Sequence, residues 1–270
     1  MNRISIILAL GLVIMSCSTE KPAPNPEGGP SRHTTESVVP ATRLQCVVVA
    51  TLPHDTMAFT QGLQVVNGVF FESTGQYGSS SIRQVELKTG NVKKKANLRP
   101  QFFGEGVTVL DGKAFMLTWL NQQGFIFDAT SLEEIGTFRY VGEGWGLTND
   151  GKNLLMSNGT STITVLDPEN ARVIRTFDVM LDGSPLKDLN ELEFIDGELW
   201  ANVWRENIIV RIDPTTGRVR SVIDCSNLLP MAERTPSTDV LNGIAFDAAT
   251  KKIYVTGKNW PHVYEITTAP

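Results

Sequence analysis

Five short segments of this chain can be laid over one another, and that self-similarity decides most of what it can fold into. They are Gln61-Gly62-Leu63, Glu105-Gly106-Val107, Trp145-Gly146-Leu147, Asn190-Glu191-Leu192 and Asn242-Gly243-Ile244, with first residues 44, 40, 45 and 52 positions apart. A turn pair follows each of the first four at nearly fixed spacing: Asn67-Gly68, Asp111-Gly112, Asp150-Gly151 and Asp196-Gly197. Such pairs accept positive φ at both central positions of a tight hairpin. The fifth unit carries a longer turn, residues 248–252. Each turn leads into an apolar strand, such as Val69-Phe70-Phe71, Leu154-Leu155-Met156 or Ile253-Tyr254-Val255. An alternating strand, a second turn and a last strand complete the unit, as in residues 208–213, 214–217 and 218–223.

Four strands in a repeat of about 40–45 residues describe a propeller blade. The expected fold is therefore all-β: a five-bladed β-propeller. The last unit stops after its third strand. Residues 44–52, LQCVVVATL, stand before the first repeat and read as the missing fourth strand. Pairing them with the last blade closes the ring and removes two sheet edges that would otherwise invite aggregation. An open β-sandwich is the rival architecture, but it gives no reason for five registered copies. No stretch reads as a long amphipathic helix.

The N-terminus has a different character. Arg3 precedes an apolar run at residues 4–15, which is short for a membrane span and suits an export signal. Ile14-Met15-Ser16-Cys17 resembles the lipobox of bacterial lipoproteins, although Met15 is an unusual choice there. The resemblance implies a signal peptide at residues 1–16, cleavage before Cys17 and lipidation of its sulfur. Localisation would then be exported, with the lipid anchor holding the protein to a bacterial membrane. Residues 17–42 are rich in proline, glycine and small polar residues without an apolar period, and read as a flexible tether. Residues 43–270 hold the propeller. Beyond Cys17 only Cys46 and Cys225 remain, and both a disulfide and two buried thiols are compatible with that count. A net charge of −5 disfavours nucleic-acid partners, which need a basic face.

The first strand of each propeller blade lines the central channel, so equivalent residues form rings about one axis. The residues opening the units give Gln61, Glu105, Trp145, Asn190 and Asn242. Polar residues that merely bond loop backbone are the plain alternative for any one of these amides. Thirteen residues beyond the second position of the first four units stand Gly75, Trp119, Gly159 and Trp204; with two residues inserted, the fifth is Lys258. Phe59 and Phe103 lie two residues before Gln61 and Glu105. The two rings describe a pocket with aromatic walls, a polar floor, one acid and one base.

Other chemistries lack their residues. His33, His54 and His262 are the three histidines, and His33 falls in the tether, which disfavours a three-histidine zinc site. There is no GxSxG elbow and no GxxxxGK[ST] loop. Ser79-Ser80-Ser81 has no base nearby in sequence and reads as a loop, and Asp213 and Asp224 read as turn residues.

Eight strings, one or two per unit, carry a family resemblance: FTQGL (59–63), FESTGQYGSSSIR (71–83), FGEG (103–106), GWGLT (144–148), LNELEF (189–194), ANVW (201–204), LNGIAFD (241–247) and TGKNWP (256–261). Together they resemble the plant-type glutaminyl-peptide cyclotransferases, which also occur in bacteria, over about residues 47–266. The resemblance implies a five-bladed propeller acting without metal or organic cofactor. It implies conversion of the N-terminal glutamine of peptides and proteins to pyroglutamate with release of ammonia. The family's catalytic acid falls on Glu105, and its pocket falls on Phe59, Gln61, Phe103, Trp119, Trp145, Asn190, Trp204 and Lys258. Glu105 is expected to relay the proton. Asn190 is the first choice and Lys258 the second for the donor that stabilises the oxyanion. A monomer is expected, since a closed ring leaves no edge that needs a partner. A non-catalytic propeller that binds a ligand or protein on its channel face is the competing reading, and it has no need of Glu105.

Overall fold

A computed structural model of the chain describes residues 39–270. Three of the four expected tight turns have positive φ at both central residues: 51° and 73° at Asn67-Gly68, 50° and 75° at Asp111-Gly112, 46° and 87° at Asp196-Gly197. Asp150-Gly151 departs from this. Only the glycine is positive there, and Asp150 Oδ1 accepts the backbone N–H groups of Lys152 and Asn153 instead, opening the hairpin to a longer turn.

The turns join strands in the order the repeats foretell. After β1 (Thr42–Pro53) come β2 (Thr60–Val66), β3 (Val69–Thr74), β4 (Ser81–Glu86) and β5 (Val92–Asn97), which form one antiparallel sheet. The second sheet holds β6 (Gly104–Leu110), β7 (Lys113–Thr118), β8 (Gln123–Asp128) and β9 (Glu134–Arg139). The third holds β10 (Leu147–Asn149), β11 (Leu154–Met156), β12 (Thr162–Leu166) and β13 (Val173–Asp178). A small hairpin, β14 (Met180–Leu181) and β15 (Ser184–Pro185), intervenes; the repeat pattern did not announce it. The fourth blade is β16 (Leu189–Ile195), β17 (Glu198–Val203), β18 (Ile208–Ile212) and β19 (Val219–Asp224). The fifth begins with β20 (Leu241–Asp247), β21 (Lys252–Gly257) and β22 (His262–Ala269).

Strand β1 completes the fifth blade, as the unpaired run at residues 44–52 predicts. It runs antiparallel to β22, from Gln45 opposite Ala269 to Pro53 opposite His262. It also runs parallel to β19, from Thr42 opposite Ser221 to Gln45 opposite Asp224, so blades four and five share one eight-stranded sheet. The folded part begins slightly before the expected boundary at residue 43. Ala41 is buried and its N–H donates to Asp182 Oδ1, so the last residues assigned to the tether are packed on the body.

Five apolar clusters hold the blades together, one in each seam. Phe71, Ile82, Met116 and Phe125 join blades one and two; Phe115, Leu117, Leu147 and Leu154 join two and three. Leu155, Ile163, Leu192 and Leu199 join three and four; Ile209, Ile223, Ile244 and Val255 join four and five. Leu63, Phe70, Tyr254 and Val263 join five back to one, which closes the ring. Each sheet is buried on both faces, so its middle strands read as continuous apolar runs rather than alternating ones. Cys46 and Cys225 are both free thiols at the cluster between blades four and five, and a hydrogen bond with Cys46, then burial, pushes the Cys225 thiol far up. No helix among the described residues is long and apolar enough to cross a membrane. Cys17 and the expected signal and most of the tether lie outside the described residues.

Candidate active site

The innermost strands touch one another around the hub, β2 against β6, β6 against β10, β10 against β16, β16 against β20 and β20 against β2. Glycine in the second position of four of the five repeated segments permits that approach; the fourth segment has Glu191 there. A Cβ on Gly106 would stand 2.3 Å from the Leu147 nitrogen, and one on Gly146 would stand 2.0 Å from the Asn190 carbonyl oxygen. The antiparallel register also shifts at this point in four of the five blades: between Thr60 and Gly62, Gly104 and Val107, Leu189 and Leu192, and Leu241 and Ile244. Those bulges contain Gln61, Glu105, Asn190 and Asn242. A bulge re-aims the side chain it carries, and here three of the four turn theirs into one cavity.

That cavity has a volume of about 360 Å³, and all nine site residues named from the sequence line it: Phe59, Gln61, Phe103, Glu105, Trp119, Trp145, Asn190, Trp204 and Lys258. Asn242 does not. Its Nδ2 donates to the Thr60 carbonyl at 3.0 Å and lies 3.4 Å from Gln61 Oε1, so it braces its neighbour strand. Phe103 meets Phe59 edge-on with ring centres 6.1 Å apart and Trp119 at 5.8 Å; Trp145 meets Trp204 at 5.5 Å. The two glycines of the second ring make room for these walls. A Cβ on Gly75 would strike the Phe103 ring at 2.4 Å, and one on Gly159 the Trp145 ring at 2.6 Å.

Glu105 is 5% exposed, and its Oε1 accepts from Gln61 Nε2 at 3.0 Å. Burial raises its proton affinity well above the ordinary carboxyl range; Lys258 opposes that and Glu143 adds to it. Lys258 is equally buried, with Nζ 4.9 Å from the centre of the Phe59 ring. Burial lowers its pKa, against the pull of Glu105 and Asp239. Both ionised forms are thus disfavoured by the apolar walls and favoured by each other. The Asn190 side chain makes no hydrogen bond among the described residues, although its backbone carbonyl accepts from Ser157 Oγ at 2.7 Å. Its amide is therefore available to a ligand.

Four further residues line the cavity: Gln76 and Arg205, each directly after a second-ring position, Val240, two residues before Asn242, and Asp239. Arg205 places its guanidinium carbon 4.0 Å from the centre of the Trp204 ring. Glu143, behind the wall, accepts from the indoles of both Trp119 and Trp145. Two more carboxyls lie in the hub beneath the site. Glu191 accepts the N–H of Leu63 and of Ile244 on its two oxygens, and Glu193 accepts Phe246 N–H and Thr148 Oγ1. Among the described residues no group of three or more His, Cys, Asp or Glu side chains converges to hold a metal ion.

A five-bladed propeller that presents a buried carboxyl from hub strand β6 and a buried lysine from just past β21 to one aromatic-walled pocket is an enzyme-like scaffold. Residues 14–268 match the family model described as glutamine cyclotransferase, and the chain belongs to that family. It is 44% identical over 225 residues to the glutaminyl-peptide cyclotransferase of Arabidopsis thaliana, covering 81% of this chain and 70% of that relative. The crystal structure of Myxococcus xanthus glutaminyl cyclase superposes with a TM-score of 0.78 at 34% identity, over 84% of this chain and 98% of that one.

Proposed function

We propose that this chain is a glutaminyl-peptide cyclotransferase that closes the N-terminal glutamine of a peptide or protein into pyroglutamate, with Glu105 relaying the proton. The observation that carries the reading is the placement of Glu105: buried, hydrogen-bonded to Gln61 and enclosed by Phe103, Trp119 and Trp145 in one cavity. The relatives' names supply the reaction class.

The α-amine of the terminal glutamine attacks its own side-chain amide carbon. Nucleophile and electrophile are already tethered, so the enzyme's first task is to fold the side chain back and hold it. The aromatic walls grip the methylenes and exclude water, and the Gln61 amide orients the carboxamide. As the C–N bond of the lactam forms, Glu105 takes a proton from the attacking amine. It returns that proton to the departing nitrogen as the old C–N bond breaks and ammonia leaves. A raised proton affinity suits a carboxyl that must do both near neutrality. The Asn190 amide is the first candidate to donate to the oxyanion of the tetrahedral intermediate, and Lys258 the second. The amine that attacks must be uncharged, and a peptide α-amine titrates at about 7.7–8.0, so a usable fraction is free at neutral pH.

Incubation of the purified protein with a Gln-initiated peptide tests the proposal. Stoichiometric ammonia and a product lighter by the same mass are expected; no ammonia above the spontaneous rate overturns it. Export and lipidation at Cys17 are a separate proposal, supported by the basic-apolar-cysteine order of the first residues. Metabolic labelling with a fatty-acid analogue, lost in Cys17→Ala, is its test. A monomer is proposed on the closure of the ring, and a sedimentation mass near one chain checks it.

A further inference from the structure

Glu143 stands two residues before Trp145, the offset that Phe59 and Phe103 hold in their own units, and it is the point on which two walls of the pocket hang. Its Oε2 accepts the indole N–H of Trp119 at 2.7 Å and of Trp145 at 2.9 Å. These tryptophans come from different blades, one after β7 and one before β10, so a single oxygen atom fixes the angle between them. The segment that carries Glu143 is itself held at both ends. Gly144 N–H donates to the Trp119 carbonyl at 3.0 Å, and Trp145 N–H to the Ser157 carbonyl at 3.1 Å. Tyr140 Oη donates to the Thr118 carbonyl, and a Cβ on Gly144 would stand 2.7 Å from that same phenol oxygen. An indole N–H is a donor only, and an aromatic wall buried beside a substrate needs its N–H matched by an acceptor. One carboxylate serves both.

We propose that Glu143 is a positioning residue of the cyclotransferase site, holding Trp119 and Trp145 in the geometry that grips the glutamine side chain. The proposal rests on the cyclotransferase reading above. Two substitutions test the hold: one keeps an acceptor for both indoles and the other removes it.

Glu143→Gln keeps an amide oxygen that can accept both indoles and removes the charge. In the full chain with a Gln-initiated peptide, KM is expected to stay within about twofold of wild type. Glu143→Ala removes both acceptors; KM is expected to rise about tenfold or more, with a shift in tryptophan emission and greater acrylamide quenching. A folded Glu143→Ala whose KM and quenching match wild type, or a folded Glu143→Gln whose KM rises as far as that of Glu143→Ala, overturns the proposal. If Glu143→Ala fails to fold, Glu143→Leu, of similar volume and without an acceptor, is read in the same way. Wild-type protein without ammonia release would sink the cyclotransferase reading instead, and the quenching comparison would still decide whether Glu143 holds the two indoles.

Discussion

Glu105 is the residue on which the chemistry turns, and its surroundings dictate what its replacement does. Glu105→Gln retains the volume and a hydrogen bond with Gln61 but cannot carry a proton from amine to leaving group. Loss of general acid–base catalysis is expected to lower kcat by about 10²–10⁴-fold, with unfolding temperature unchanged or raised, because a buried ionisable group has been neutralised. Steady-state ammonia release together with a thermal melt checks this, and a kcat within a few-fold of wild type would remove Glu105 from its role. The nine pocket residues were legible because each stands at a fixed offset within a repeat, or beside such a residue, and repeats become rings when strands share an axis. Glu143, Gln76, Arg205 and Val240 also stand at fixed offsets, but the residue type there changes from blade to blade, so position alone did not mark them as wall or support. Asp239 lies in the longer connection before β20, where the repeat gives no register. Asn242 shows the converse: a correct ring position whose bulge turns the amide onto backbone rather than into the cavity.

The hub strands set where those side chains point, so two of their features carry predictions. Gly146 gives way to the Asn190 carbonyl, which a methyl group would meet at 2.0 Å. Gly146→Ala is expected to cost about 1–3 kcal/mol by overpacking. It is also expected to lower kcat/KM by more than tenfold, since the strand bearing Asn190 must shift. A melt and activity equal to wild type would show that the hub is looser than these distances say. On β16, Glu193 replaces the apolar alternation with a carboxyl aimed inward, and burial raises its pKa to about 8 from an ordinary value of 4.5. Below about 4.5 it is protonated in both folded and unfolded chain. Between the two values the unfolded chain gives up a proton that the native one keeps, so stability falls as pH rises, and the loss is complete above about 8. Glu191 shifts in the same direction through burial and the nearby Glu193. Glu193→Gln is therefore expected to melt like wild type at pH 4.5 and progressively higher than wild type toward pH 8. An equal deficit at both pH values would mean that the native carboxyl is ionised. The alternating-strand pattern hid both residues: a charged residue in a strand reads as solvent-facing, and only the closure of the ring makes the hub side an interior.

Closure is the property of the whole molecule, and a buried charge cluster marks the place where it happens. Just past β1, His54 takes its place in the seam between blade five and blade one. Its N–H donates to the Pro261 carbonyl at 2.9 Å. Nδ1 lies 2.7 Å from the Trp260 carbonyl and Nε2 2.9 Å from Glu72 Oε1. Both ring partners are acceptors, which favours the doubly protonated imidazolium; burial works against the charge, and Glu72 more than restores it. Glu72 also accepts from Thr60 Oγ1 at 2.7 Å and from Arg83 Nε at 2.9 Å, so the first blade and the residue after the closing strand meet on one carboxylate, and His54 ties that cluster to the last blade. Burial alone would raise the pKa of Glu72, but Arg83 and His54 bring it down to about 2. Its folded value lies below the unfolded 4.5, so its contribution is present above about 4.5 and is lost as pH falls toward 2. Glu72→Gln removes the counter-charge that His54 and Arg83 share, leaving Arg83 only the partly exposed Asp55 at 2.7 Å, and is expected to cost about 3–5 kcal/mol, with a shallower loss of stability than wild type between pH 4.5 and 2. Removing a counter-charge and removing a pair are different acts. The double variant Glu72→Gln with Arg83→Met should recover part of that cost, because an apolar partner needs no neutralisation. Denaturant titrations of the single and double variants measure the coupling. A double variant as unstable as the two single losses added together would mean that these charges act independently and that the seam is closed by its apolar cluster alone.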